Sequence, residues 1–121
     1  MITHVKFVSI ATRDQDRALA FYTEKLGFKV VTDQPFSEKT RWIEMRIGNA
    51  DTRFVLFNPD DAESRIGTPF NGALACDNVE KTYEELKARG VMFDSPPQKQ
   101  PWGTFALFKD PDGNGFVLSS K

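Results

Sequence analysis

Few side chains in this sequence offer chemistry, and the most suggestive pair sits two residues apart. Trp42 and Glu44 share one face of a candidate strand, because alternate strand residues point the same way. A tryptophan supplies a stacking surface and a tryptophan N–H a polar handle. A glutamate binds a cation, or acts as a base where burial raises its pKa. Glu44 is therefore the one candidate catalytic group, with a solvent-facing carboxylate as the ordinary alternative; the alternation does not say whether this pair or Arg41, Ile43 and Met45 face inward. Asp110-Pro111-Asp112-Gly113-Asn114 holds two aspartates but reads as a turn: aspartate bonds to nearby backbone N–H groups, proline fixes φ and glycine permits an unusual one. Cys76 ends an apolar strand with no histidine partner in sequence and reads as structural. The glycines form no phosphate-loop spacing.

The elements that must position these groups follow from periodicity. Val5 to Ile10 is a strand candidate, and a helix follows from about Gln15 to Lys25. Asp14 caps its start, Ala18, Phe21, Tyr22 and Leu26 form its apolar stripe, and Gly27 suits the left-handed position that ends it. Strands at 28–32, 40–47 and 53–58 complete the first half. The second half repeats the plan: a strand core at Ala73 to Cys76, a helix capped by Asp77 or Asn78 with a stripe of Val79, Tyr83 and Leu86, Gly90 at its end, then strands beginning at Val91, at Thr104 and at Phe116, with Pro96-Pro97 in a loop. Asp14 to Gly27 and Asp77 to Gly90 are equal intervals, which points to internal duplication, although the two stripes sit one position out of phase.

A chain of 121 residues supports one compact domain or two half-sized units. The formal net charge of -1 gives no nucleic-acid footprint, no stretch reaches membrane-spanning length, and Met1-Ile2-Thr3-His4-Val5-Lys6 lacks the regions of a signal peptide. With a single cysteine, these features point to a cytoplasmic protein. Eleven phenylalanines against two tyrosines imply an aromatic core with a few rings left for a pocket. A strand, a helix and three strands leave one sheet face open, so the expected architecture is α+β: two βαβββ modules, 1–59 and 69–121 joined by 60–68, forming a curled mixed sheet around a central cavity. In the first strand, Val8 and Ile10 fit the helix-covered face and Phe7 and Ser9 the other.

Asp14 with Arg17-Ala18-Leu19-Ala20-Phe21-Tyr22 and Lys25-Leu26-Gly27-Phe28, together with Phe108-Lys109-Asp110-Pro111-Asp112-Gly113-Asn114, resembles the vicinal oxygen chelate superfamily of glyoxalase-like, dioxygenase-like and bleomycin-resistance-like proteins. The resemblance spans nearly the whole chain and speaks to fold more than to reaction. It implies a metal held by histidine and glutamate side chains on four strands. Carried onto this sequence, those positions are Phe7, Val55 or its neighbour, Asn71 and Val117. A phenylalanine and two valines cannot coordinate a metal, which needs several converging N or O donors. His4, the only histidine, has the opposite strand parity to Phe7 and reads as a terminal or edge residue.

The expectation is thus a protein without metal or other cofactor that binds a small, partly apolar molecule, its reaction unspecified. The candidate ligand-binding residues are Phe7, Ser9, Trp42, Glu44, Val55, Phe57, Asn71, Trp102, Val117 and Ser119. Phe57 shares the Val55 face, Trp102 stands beside Gly103 as a rim or lid, and Ser9 and Ser119 offer hydroxyls. Either face of residues 104–108 could line the pocket. A metal-dependent lyase or dioxygenase is one alternative. A structural or regulatory dimer with a closed, vestigial pocket is the other; a homodimer is expected in either case, since self-pairing protects exposed strand edges.

Overall fold

The computed structural model, which describes residues 1–58 and 62–120, places a helix at each of the two intervals picked out by spacing. By contacts the chain divides into two compact units, Met1–Ile66 and Gly67–Lys121. The first unit holds β1 (Phe7–Ala11), α1 (Gln15–Ala20) running on through a wide π turn (Phe21–Lys25), β2 (Lys29–Pro35), β3 (Arg41–Arg46), β4 (Arg53–Phe57) and the short α2 (Ala62–Arg65). The second holds β5 (Pro69–Ala75), α3 (Val79–Ala88), β6 (Met92–Phe93), β7 (Gln98–Gln100), β8 (Gly103–Lys109) and β9 (Gly115–Ser120). Two short elements were not anticipated: α2 falls in the expected connection, and β7 follows the Pro96-Pro97 loop.

The helix starts are chemical. The Asp14 carboxylate accepts from the Arg17 N–H at 3.0 Å, and the Asn78 side chain accepts from the Lys81 N–H at 3.0 Å. Of the two possible caps for α3, Asn78 is therefore the one used. This choice explains the phase offset between the helix stripes. Counted from the caps Asp14 and Asn78, buried Gln15 matches buried Val79, and buried Tyr22 matches buried Leu86. The first helix then carries one more residue before its terminal glycine, and the π turn absorbs it. There the Leu26 N–H reaches back five residues to the Phe21 carbonyl, and the Phe28 N–H donates to the Tyr22 carbonyl, whereas Val91 donates to Leu86. Gly27 and Gly90 close the helices at φ 80 and 92, where a side chain would be strained.

The strand order is β1-β4-β3-β2 in one sheet and β5-β9-β8-β6 in the other, so the two orders match once the short β7, paired to β8, is set aside. The two βαβββ modules are present, but the expected single sheet curled around a central cavity is not. There are two separate sheets, both open, and neither is curled or closed. The reason lies in the ladders. The first strand of each module pairs in parallel with the last strand of its own module: Phe7↔Arg53 through Ala11↔Phe57, and Ala73↔Val117 through Ala75↔Ser119. Each module thus satisfies its backbone groups locally and ends in its own edge strands.

In the first unit the covered sheet face carries buried Ile10, Ile43, Met45, Phe54 and Leu56 against buried Ala18, Phe21 and Tyr22. Phe21, Tyr22, Phe28 and Phe54 make a chain of ring contacts with centroids 5.2–5.7 Å apart. Burying each such side chain stabilises the unit by roughly 1.5–3 kcal/mol. Gln15 fastens the helix start to the sheet: its amide donates to the Arg41 and Leu56 carbonyls at 2.7 and 3.1 Å and accepts from the Arg41 N–H at 2.9 Å. The Arg41 guanidinium bonds Asp33 at 3.0 Å and Asp16 at 2.9 Å, and these two carboxylates, Asp33 first, push its pKa above the usual arginine value. In the second unit Val79, Tyr83 and Leu86 cover Ala106, Phe108, Phe116 and Leu118.

Candidate functional site

The same alternation that fills the covered face of the first sheet dictates what its other face displays. Ile43 and Met45 are fully buried while Trp42, Glu44 and Arg46 are half-buried, so the Trp42–Glu44 face is the one α1 leaves uncovered. Register brings the candidates together. Ser9 lies opposite Val55, and Val55 opposite Glu44, forming one row across β1, β4 and β3. Phe7 lies opposite Arg53, and Arg53 opposite Arg46, in the neighbouring row.

All six candidates of this unit, Phe7, Ser9, Trp42, Glu44, Val55 and Phe57, therefore share one face. Trp42 is its hub. Its ring meets Phe7 at 5.3 Å and Phe57 at 5.4 Å, both edge to face, and a tilted Phe36 at 5.8 Å; Phe36 in turn meets Phe57 at 5.1 Å. The indole N–H donates to Glu44 Oε2 at 2.9 Å, and Arg53 Nη1 lies 3.6 Å from Oε1. The indole N–H bond to Glu44 fixes the indole plane, and Arg53 lies near the other carboxylate oxygen. Val55 is fully buried beneath this layer, and the Ser9 hydroxyl accepts from Arg65 Nη2 at 3.3 Å. Phe36 is 62% exposed and was missed in the sequence because it lies in a polar segment after β2, where strand alternation gives no signal.

The four candidates of the second unit fall in two places. Trp102 and Ser119 line a hollow of about 550 Å³ with Ala73, Ala75 and Cys76, and Trp102 stacks on Phe105 at 5.6 Å. Asn71 and Val117 line another of about 420 Å³ with Leu107. Ala106 and Phe108 are buried, so of the two faces of β8 it is Phe105 and Leu107 that remain uncovered. Asn71 holds φ at 65, a left-handed position that asparagine tolerates better than most residues, where the pairing of β5 with β9 shifts register.

Asp110 is a turn hub. Its carboxylate accepts from the Asp112 N–H at 3.0 Å, the Asn114 N–H at 2.9 Å and the Asn114 side-chain amide at 2.9 Å, while Asn114 Oδ1 accepts from the Gly67 N–H at 2.8 Å. These carboxylate oxygens are occupied by the protein's own donors.

A metal ion does not fit the residues present. Phe7, Val55 and Val117 have no donor atom, and among the described residues no three histidine, cysteine, aspartate or glutamate side chains converge. His4 is exposed and bonded to Thr3 at 3.0 Å, alongside a hollow of about 280 Å³ that it lines with Lys6, Glu44, Arg46 and Arg53.

Residues 2–118 match the family model of the Glyoxalase/Bleomycin resistance protein/Dioxygenase superfamily. Among relatives, the uncharacterized protein YetH of Bacillus subtilis (strain 168) is 35% identical over 118 residues, covering 98% of each chain. A crystal structure of a member of this superfamily from Sphaerobacter thermophilus DSM 20745 superposes with a TM-score of 0.89 at 31% identity, over 99% of this chain and 98% of that one. TnmS3, an antibiotic binding protein from Streptomyces sp. CB03234, gives a TM-score of 0.87 at 36% identity, over 98% of this chain and 96% of the other.

Proposed function

Because the chain belongs to the glyoxalase/bleomycin resistance protein/dioxygenase superfamily, we propose that it is a metal-independent binder of a small, partly apolar, flat molecule, which docks on the open face of the first sheet. One observation carries the reading: Phe7 and Phe57 gather on that face around Trp42, whose indole Glu44 holds, at and around positions where the family resemblance would put metal ligands. Rings held at fixed angles offer stacking at low entropic cost. TnmS3 is an antibiotic binding protein, and capture of such a molecule is one form of the proposed function. Ser9 and Glu44 orient the ligand, and Val55, buried beneath the rings, supports them from below. The hollows at Trp102–Ser119 and Asn71–Val117 are separate candidate sites within the other unit.

The test is isothermal titration with the neutral bicyclic probe 2-naphthamide, whose signal does not depend on Trp42. Saturable binding that weakens at least ~10-fold in Trp42→Ala supports the reading. Binding that is unchanged in Trp42→Ala overturns it.

A second reading rests on the same rings. Phe7, Trp42 and Phe57 already contact one another, and a layer that packs only on itself is structural. In that reading the chain is a homodimer whose β2 edge, with exposed Val30 and Val31, meets a second copy. Absence of saturable binding together with a two-chain mass in solution favours it. Either form is proposed to work in the cytoplasm; no described helix is long and apolar enough to cross a membrane.

A further inference from the structure

The uncovered face of the first sheet carries a charge arrangement that the aromatic layer does not explain. Arg46 on β3 lies directly across the ladder from Arg53 on β4. Like charges in that position repel. Among the described residues only Arg53 of this pair has an ion pair, with Glu44 at 3.6 Å, and that contact is long for a charge-assisted bond. The Nε atoms of both arginines are buried without a hydrogen-bond partner. Burial holds each guanidinium by its Nε edge, so the donors left for a bound acceptor are the outer Nη groups. Both arginines line the hollow of about 280 Å³ together with His4, Lys6, Glu44 and Asp51, so its three fixed cations exceed its two carboxylates by one.

Phe7 ties this hollow to the rings. It stands opposite Arg53 in the β1–β4 ladder and meets Trp42 at 5.3 Å. We propose that the hollow is an anion subsite, and that the ligand is an aromatic carboxylate whose ring lies on Phe7 and Trp42 while its carboxylate is gripped by Arg46 and Arg53. A planar monoanion suits the forked guanidinium donors and the single surplus charge. This inference rests on the binding face proposed above, and it specifies the ligand's charge.

The experiment compares 2-naphthoate with 2-naphthamide, which differ only in the charge of the substituent, by isothermal titration of the full chain. The expected result is that the carboxylate binds ~10-fold or more tightly, that Arg46→Gln removes most of that preference while leaving 2-naphthamide binding in place, and that Arg53→Gln also lowers the preference. Retained amide binding also shows that each variant is folded; Arg46→Gln is the cleaner of the two because it leaves the Glu44 pair intact. Equal affinity for the two probes in the unaltered protein overturns the anion subsite and leaves the aromatic face standing. A preference that survives in the double variant overturns it too. Failure of both probes to bind overturns the face and the subsite together.

Discussion

Trp42 shows how one side chain can organise a surface. Its ring contacts three phenylalanines and its N–H is committed to Glu44, so its orientation is over-determined. Trp42→Phe keeps a ring and loses the donor. A loss of about 1–2 kcal/mol in urea denaturation is expected, with 2-naphthamide affinity falling only ~3-fold. A Trp42→Phe affinity as weak as that of Trp42→Ala would mean that the indole N–H, not the stacking surface, carries binding. The turn hub is also a residue-scale device. Asp110→Ala strips the acceptor from two backbone N–H groups and the Asn114 amide, with an expected cost of about 2–4 kcal/mol and a lower denaturation midpoint. An unchanged midpoint would show that those donors find other partners. Reading Asp110 as a turn residue rather than a metal ligand followed from its neighbours Pro111 and Gly113, because turn chemistry is local.

The first helix illustrates what an extra residue does to an element. Its cap-to-glycine interval is one longer than that of α3, and the π turn holds the surplus without rotating Tyr22 off the covered face. Each residue of an α-helix turns the stripe by about 100°. Deleting exposed Glu24 should therefore convert the π turn to an ordinary one at a cost below ~2 kcal/mol, whereas deleting exposed Glu84 from α3 should swing Leu86 off its sheet and cost above ~3 kcal/mol. Thermal unfolding of the two deletions checks this, and equal losses would mean that the π turn is not an accommodated insertion. The out-of-phase stripes were visible in the sequence. Their cause was not, because choosing Asn78 over Asp77 as the cap and widening a turn by one hydrogen bond leave no mark in residue type. Gln15 was passed over for a similar reason: a glutamine near a helix start is unremarkable until Arg41 and Leu56, distant in sequence, arrive beside it.

At the scale of the whole molecule, two modules of the same strand order each complete their own open sheet. The metal-independent reading makes a plain compositional prediction. Protein prepared without an affinity tag should contain far less than one equivalent of any transition metal, measured by elemental analysis. Stoichiometric metal that is lost on replacing Glu44 or Asn71 would restore a lyase or dioxygenase reading.

What the sequence determined by itself was local. It set the strands and helices by periodicity, the first cap and the helix-ending glycines, the βαβββ repeat, and the presence of Phe7, Val55 and Val117 where a metal-binding relative would need donors. Each of these depends on residue type and on neighbours a few positions away. The tertiary structure decided what depends on pairing between distant segments: that the strands form two open sheets rather than one curled sheet, that the Trp42–Glu44 face is the uncovered one, that Phe36 joins it, and that Arg46 stands opposite Arg53. Strand register is a long-range property, and shifting it by one residue exchanges the two faces of a sheet, so sequence alternation supplies the two sets of side chains without saying which is covered.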